Sequence, residues 1–341
     1  MLTTELIERV LSTVPSRTVG VLGDLFLDRY LDIDPALNEP SVETGLTAYQ
    51  VVKVRSYPGA AGTVINNLAA LGVGRIYPIA YIGDDGEGYE LRQALQAMPA
   101  VEQSGLVVAP DRRTPTYTKP MLGLRELNRL DIKNRTPTPV ALQEQIIELL
   151  DKAWPRLDAM IVLDQVSEED CGVVTARVRN RLAEVANSDP HKFVLADSRE
   201  RIGLFRNMCV KPNRNEATTA FKTIGVGPVE RFNDLAIAEG LAEQCQRAVF
   251  YTMGEDGILL ATPRVGSKYV RTYPVSGPID IVGAGDSCSA GITCAMVSGL
   301  TLEQAAAFGN LVASITIQQI GVTGTASPEQ LRTRWQEVNP T

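Results

Sequence analysis

Asp280-Ile281-Val282-Gly283-Ala284-Gly285-Asp286-Ser287-Cys288-Ser289-Ala290-Gly291 is the stretch around which the rest of the chain is arranged. A breaker cluster, Ser276-Gly277-Pro278, precedes it, and Ala290 to Leu300 is small and apolar enough to be a buried helix. Gly283 and Gly285 therefore fall where a loop turns into a helix. The first turn of a helix leaves main-chain N–H groups without partners, and the helix dipole adds partial positive charge there. Glycine removes the Cβ atoms that would hold a phosphate away from those groups. An acidic side chain cannot hold an anion, so Asp286 at the mouth of such a cradle reads as a group that takes a proton from whatever attacks the phosphate. The plainer reading is a helix start with Asp286 as an ordinary first-turn acid.

Bulk properties narrow the classes. A chain of 341 residues can be one large α/β domain or two small ones, and either buries a sizeable core. A net charge of −7 argues against a general nucleic-acid or anionic-membrane surface. Met1 to Val10 has the pattern of an amphipathic helix, not of a signal peptide, and no stretch approaches the roughly 20 apolar residues of a membrane span. The five cysteines lack C-x-x-C spacing and read as reduced, mostly buried thiols of a cytoplasmic protein. A lone histidine, His191 beside Pro190, makes histidine chemistry a poor expectation.

Along the chain, Thr18 to Leu22 reads as a buried strand ending in Gly23-Asp24. Carboxylates just beyond a strand's C-terminal end are well placed to meet sugar hydroxyls, which favours Asp24 as a site residue. Asp28 is left between a site role and a solvated one. Residues 29 to 57 carry Tyr, Ile and Val without a helical period and read as strands outside the main sheet. Pro58 to Gly62 opens a helix over Thr63 to Leu71. Regular alternation follows: a strand at Ile76 to Ile82, a helix at Glu87 to Met98, and a strand near Leu106 to Val108. A second excursion, Thr114 to Lys119 and then Leu127 to Ile132, predicts a hairpin that pairs with the first excursion as a small separate sheet. The remaining pattern predicts helices at Val140 to Trp154, Glu168 to Ala186, Ala236 to Cys245 and Leu302 to Gln318, with one more after Ser327-Pro328. Strands are expected at Ala159 to Leu163, Phe193 to Ala196, Cys209-Val210, Ala248 to Thr252 and Ile258 to Ala261. Such repetition means α/β: a mostly parallel sheet covered on both faces, with the two excursions as a lid.

Other motifs are weaker taken singly. No G-x-x-x-x-G-K-S/T loop occurs, and no G-x-G-x-x-G follows the first strand. Asn213 and Glu216 offer one amide oxygen and one carboxylate, enough for a hydrated Mg²⁺. Equally, they are an N-cap and its third residue, a common capping box. Thr252-Met253-Gly254 with Gly257 fits a loop under a nucleotide or a plain hairpin turn.

Taken together, these stretches resemble the ribokinase-like (PfkB) carbohydrate kinases. Asp280 to Asp286 resembles that family's C-terminal signature, and Pro58 to Gly72 its N-terminal glycine-rich one. Gly23-Asp24, Ile82 to Asp85, Lys211-Pro212-Asn213 with Glu216, and Thr252 to Gly257 fall in the family's order. The likeness spans roughly residues 18 to 325. Within the family it is nearest to the kinase domain of heptose-7-phosphate kinases, through Gly23 to Tyr30, Arg129-Leu130-Asp131 and Gly309 to Thr325.

The resemblance implies a three-layer α/β/α fold with a β lid, as a single kinase domain over 1–341 whose lid is formed by about 29–57 and 112–133. It implies ATP-dependent phosphorylation of a sugar or sugar-phosphate hydroxyl. Asp286 would be the base, and the N–H groups of Gly283, Ala284 and Gly285 the anion hole. Asn213 and Glu216 would organise Mg²⁺ through water. Thr252, Gly254, Gly257 and Asn310 would line the ATP site. Asp24, Asp28, Gly59 and Thr63 would face the sugar. A homodimer clasped through the lid is implied too, and a monovalent cation is admitted as a further cofactor. A phosphorylated acceptor would need basic side chains, for which Arg29, Arg113 and Lys119 are the candidates. The chain departs from the family at Ala60, where a second glycine is usual, at Thr63, where asparagine is common, and over Glu39 to Gly45. One histidine cannot supply the paired-histidine motif of the nucleotidyltransferase domain fused to some heptose kinases, so that domain is not expected here. The rival readings are a nucleoside kinase on the same fold and a sugar- or nucleotide-binding regulator without catalysis.

Overall fold

A computed structural model describes residues 2–224 and 233–339. Nine strands form the main sheet: β1 (Thr18–Gly23), β6 (Arg75–Gly83), β7 (Leu106–Ala109), β11 (Ala159–Asp164), β12 (Phe193–Ser198), β13 (Cys209–Val210), β14 (Val249–Thr252), β15 (Ile258–Thr262) and β16 (Gly266–Val270). Their order is β16-β15-β14-β13-β12-β11-β1-β6-β7. From β14 to β7 every pairing is parallel, while β15 and β16 close one edge antiparallel. Strands β1, β6, β11 and β12 are near-continuous apolar runs because helices flank the sheet and leave no wet face.

The helices are α1 (Thr4–Thr13), α2 (Ala61–Ala70), α3 (Gly86–Gln96), α4 (Val140–Ala153), α5 (Ala176–Ser188), α6 (Arg214–Ile224), α7 (Asp234–Cys245), α8 (Ala284–Val297), α9 (Leu302–Thr316) and α10 (Pro328–Val338). Helix α8 packs against α9 and α2, and its small residues allow the close approach: a Cβ on Gly291 would sit 3.0 Å from the Gly309 Cα. None of the described helices is long and apolar enough to cross a membrane. All five cysteines are free and buried, as expected.

Both excursions leave the main sheet. β2 (Leu25–Ile33), β5 (Val51–Ala60), β8 (Thr116–Leu122) and β10 (Leu130–Ile132) form a second sheet in the order β10-β8-β2-β5, with β9 (Arg125–Glu126) on β8. A two-stranded tip, β3 (Glu39–Pro40) with β4 (Thr47–Ala48), lies between β2 and β5 in sequence. Only Asp24 separates β1 from β2, and nothing separates β5 from α2. At that second joint Ala60 holds φ 53 and ψ −116, a conformation glycine adopts more readily. The structure thus shows what the missing second glycine costs: a strained alanine, of the order of 1 kcal/mol.

Two expectations need correcting. The helix expected over Glu168 to Ala186 begins only at Ala176, capped by Thr175; the chain before it is irregular, with Asp170 at φ 54. Strand β16 was not anticipated and extends the sheet by one.

Candidate active site

Helix α8 starts at the edge of a cleft of about 1280 Å³. Gly283 is its N-cap, at φ 79, and a Cβ there would meet Thr323 Cγ2 at 2.5 Å, so only glycine fits. Asp280 fixes the approach to the cap: its carboxylate accepts from the N–H of Val282 and of Gly321, each at 3.1 Å. The Ala284 N–H donates to the Ile281 carbonyl at 3.1 Å and is not available to an anion, which corrects the expected trio of donors. Among the described residues, the N–H groups of Gly283, Gly285 and Asp286 donate to nothing.

Asp286 lines this cleft, partly buried, and its carboxylate makes no hydrogen bond or ion pair among the described residues. Burial pushes its pKa up to about 7, and nearby Asp197 adds to the shift against the opposing charges of Lys211 and Arg199. Asp197 and Lys211 stand at the ends of the neighbouring strands β12 and β13 and form a buried ion pair at 2.7 Å. A Cβ on Gly285 would lie 3.4 Å from Lys211 Nζ, so the pair sits directly under the helix start.

Asn213 and Glu216 form the reciprocal cap of α6: Glu216 N–H donates to Asn213 Oδ1 at 2.9 Å, and Asn213 N–H to Glu216 Oε2 at 2.8 Å. Both nevertheless line the cleft, and the second Glu216 oxygen takes no part in the cap. Burial, with Asp197 second, lifts Glu216 to about 7. No cluster of three or more His, Cys, Asp or Glu able to hold a metal is present among the described residues. A divalent ion here would need most of its oxygen ligands from water or substrate, a demand Mg²⁺ meets.

The opposite wall comes from β14 to β16 and α9. Thr252 donates its N–H to the Pro212 carbonyl at 2.9 Å. Gly254 has open space around it, whereas Gly257, at φ 91, packs so close to Val270 that a Cβ would sit 2.3 Å from its carbonyl. Asn310, 5 % exposed, ties the end of β16 to α9 by donating to the Val270 and Arg271 carbonyls at 3.1 and 3.2 Å. Gly283, Ala284, Gly285, Asp286, Asn213, Glu216, Thr252, Gly254, Gly257 and Asn310 all border this one cleft.

The four residues expected at the sugar divide differently. A Cβ on Gly59 would lie 2.4 Å from Asp28 Oδ2, so the glycine makes room for that carboxylate across the β2–β5 pairing. Thr63 borders a smaller cavity of about 260 Å³ with Tyr30 and Thr323, and its methyl lies just behind Gly283. Asp24 departs from expectation. It is 3 % exposed, and its carboxylate accepts main-chain N–H bonds from Gln165, Val166 and Val173 at 2.8, 3.1 and 2.7 Å. A carboxylate so occupied is a strut between the end of β1 and the 165–173 loop.

The basic residues expected to receive a phosphorylated acceptor are already engaged. Arg29 pairs with Glu87 and Glu90, Arg113 with Asp85 and Glu87, and Lys119 with Asp28 at 3.4 Å. Sequence reasoning passed over Asp197 and Arg199, although both sit where β12 ends, the same strand-end position that drew attention to Asp24.

Residues 27–330 match the family model described as pfkB family carbohydrate kinase. Among curated relatives, the bifunctional protein HldE of Gluconobacter oxydans is 28 % identical over 314 residues, 92 % of this chain and 63 % of that protein. The HldE of Caulobacter vibrioides is 28 % identical over 319 residues, covering 92 % and 62 %. The chain thus spans about three fifths of the length of these relatives. Among solved structures, ribokinase from Thermotoga maritima superposes with TM-score 0.68 at 17 % identity, covering 94 % of this chain and 99 % of that one. Arabidopsis thaliana ribokinase, solved with ribose and ATP, gives 0.66 at 16 %, covering 93 % and 98 %. A Methanocaldococcus jannaschii nucleoside kinase gives 0.61 at 17 %, covering 94 % and 98 %. At such identities the structural likeness establishes the fold alone.

Proposed function

The chain belongs to the pfkB family of carbohydrate kinases, and from that premise we propose that it transfers the terminal phosphoryl group of ATP to a hydroxyl of a sugar held between Asp286 and the second sheet. The observation that carries this reading is the unpartnered Asp286 carboxylate beside the open N–H groups of Gly283, Gly285 and Asp286. With a pKa of about 7, Asp286 is ionised often enough to accept a proton and basic enough to use it. It takes the hydroxyl proton as the sugar oxygen bonds to the terminal phosphorus. The bond from that phosphorus to the bridging oxygen breaks, and ADP leaves. The three open N–H groups and the positive end of α8 offset the negative charge on the phosphoryl oxygens.

Residues of the wall built by β14 to β16 and α9, Thr252, Gly254, Gly257 and Asn310, suit the nucleotide, since glycine leaves its flat ring and phosphates unobstructed. Asp28, Gly59 and Thr63 suit the sugar. Glu216, through the oxygen its cap does not use, and Asn213 would hold hydrated Mg²⁺, whose charge would help neutralise the phosphates. The second sheet acts as the lid that excludes water. Its edge strand β5 exposes Val52 and Val54 at 57 % and 55 %, which supports a homodimer joined through that sheet.

The decisive measurement is ADP release by Asp286→Asn over a panel of sugars and sugar phosphates. Turnover should fall about 10²–10⁴-fold while ATP binding persists. Wild-type turnover in that variant would remove the base from the mechanism.

A further inference from the structure

Three cationic side chains border the main cleft: Arg199, Lys211 and Arg271. Lys211 is committed to Asp197. Arg271 leaves from the β16 wall, where its carbonyl receives Asn310, on the side suited to a nucleotide. Most of the basic residues of the second sheet and its neighbours are committed as well. Besides Arg29, Arg113 and Lys119, Arg55 pairs with Asp32 at 2.8 Å and Arg129 with Asp131 at 2.7 Å.

Arg199 is the exception at the chemical end of the cleft. The strand end from which it leaves is tied down. Its own N–H donates to the Asp164 carbonyl at 3.1 Å, Ser198 Oγ bonds the Asp164 carboxylate at 2.6 Å, and Arg201 pairs with the same carboxylate at 2.7 Å. Two residues earlier, Asp197 is held by Lys211. Yet the Arg199 guanidinium makes no hydrogen bond or ion pair among the described residues, and it is exposed to the cleft. It shares the cleft with Asp286 and Glu216, and its charge bears on both of them and on Tyr117 of the second sheet. A rigidly based, uncommitted fork donor in the same cleft as Asp286 lacks only an oxyanion. Planar guanidinium matches phosphate with two parallel hydrogen bonds, which an ammonium cannot do.

We propose that Arg199 is a phosphate clamp, closing on a phosphate group that lies between Asp286 and the second sheet. This rests on the kinase reading and extends it. The phosphate is either the one in transfer or one the acceptor sugar already carries, and both present the same oxygens to the fork.

Titration calorimetry on Arg199→Gln and Arg199→Lys separates the two sources. Four probes are used: ADP, the non-hydrolysable ATP analogue AMP-PNP, sedoheptulose, and sedoheptulose 7-phosphate. If the clamp takes the transferred group, Arg199→Gln weakens AMP-PNP about 10- to 100-fold and leaves ADP unchanged. If it takes the acceptor's phosphate, the same loss falls on sedoheptulose 7-phosphate and spares the free sugar. Arg199→Lys should recover part of either loss. Changes under about fivefold for Arg199→Gln with all four probes would overturn the assignment. These readouts concern binding, so they stand apart from the turnover of Asp286→Asn: either proposal can fail alone.

Discussion

Asp24 and Asp286 each follow a glycine, each lie at a loop edge of the same core, and burial raises both, to about 6 and about 7. Asp24 is met by three main-chain N–H groups drawn from residues 165 to 173. Asp286 is met by none among the described residues. Occupancy, more than burial, separates a carboxylate that holds a fold together from one free to accept a proton. The same contrast separates Arg201, whose guanidinium is spent on Asp164, from Arg199 two residues before it.

The sharpest way to break the comparison is to empty the first site. Asp24→Ala would orphan three buried N–H groups and should cost about 3–5 kcal/mol in denaturant unfolding. Turnover per folded molecule at low temperature should stay near wild type. A variant of unchanged stability and lost activity would make Asp24 a ligand after all.

Next in size is the acid limb of activity. Asp286 works as a base only when ionised, so kcat/KM should fall about tenfold per pH unit below its pKa of about 7 and level off above it. An acid limb near the ordinary aspartate value of about 4 would mean that the reacting carboxyl is not the raised one.

The smallest effect concerns stability. A folded-state pKa above the unfolded value means that ionising Asp286 opposes folding: the cost is absent below about pH 4 and complete above about pH 7. Asp286→Asn should therefore be about 1–2 kcal/mol more stable than wild type at pH 8, after allowance for solvent screening, and equal to it near pH 4. Equal unfolding midpoints at both pH values would remove the strain from that carboxylate.

Legibility followed distance along the chain. The α8 entrance could be read because its glycines, acid and following helix are contiguous, and the strand alternation was local too. Asp24 could not be read, since its partners lie about 140 residues away and nothing in Gly23-Asp24-Leu25 announces them. The overlong helix at Glu168 shares that cause: Val173 spends its N–H on Asp24, and Asp170 turns left-handed. Asn213 and Glu216 resisted for another reason. A capping box and a pair of metal-binding oxygens are written with the same residues, and here the cap uses the one Asn213 amide oxygen and one Glu216 oxygen while both residues line the cleft. Arg199 stayed hidden because a free arginine and a paired one look alike until their neighbours are known.

The two joints between the sheets have a mechanical consequence. Ala61 N–H donates to the Asp24 carbonyl at 2.9 Å, so β2 leaves the body and β5 returns to it through adjoining, mutually bonded residues. The two arms are thus braced against each other at a shared root, and further out Arg29 of β2 and Ser56 of β5 both bond Glu90 of α3. Insertions at residues 41–46, the loop joining β3 to β4, would lengthen the tip without touching that root, whereas a single residue added at 24 or 60 would unseat both arms.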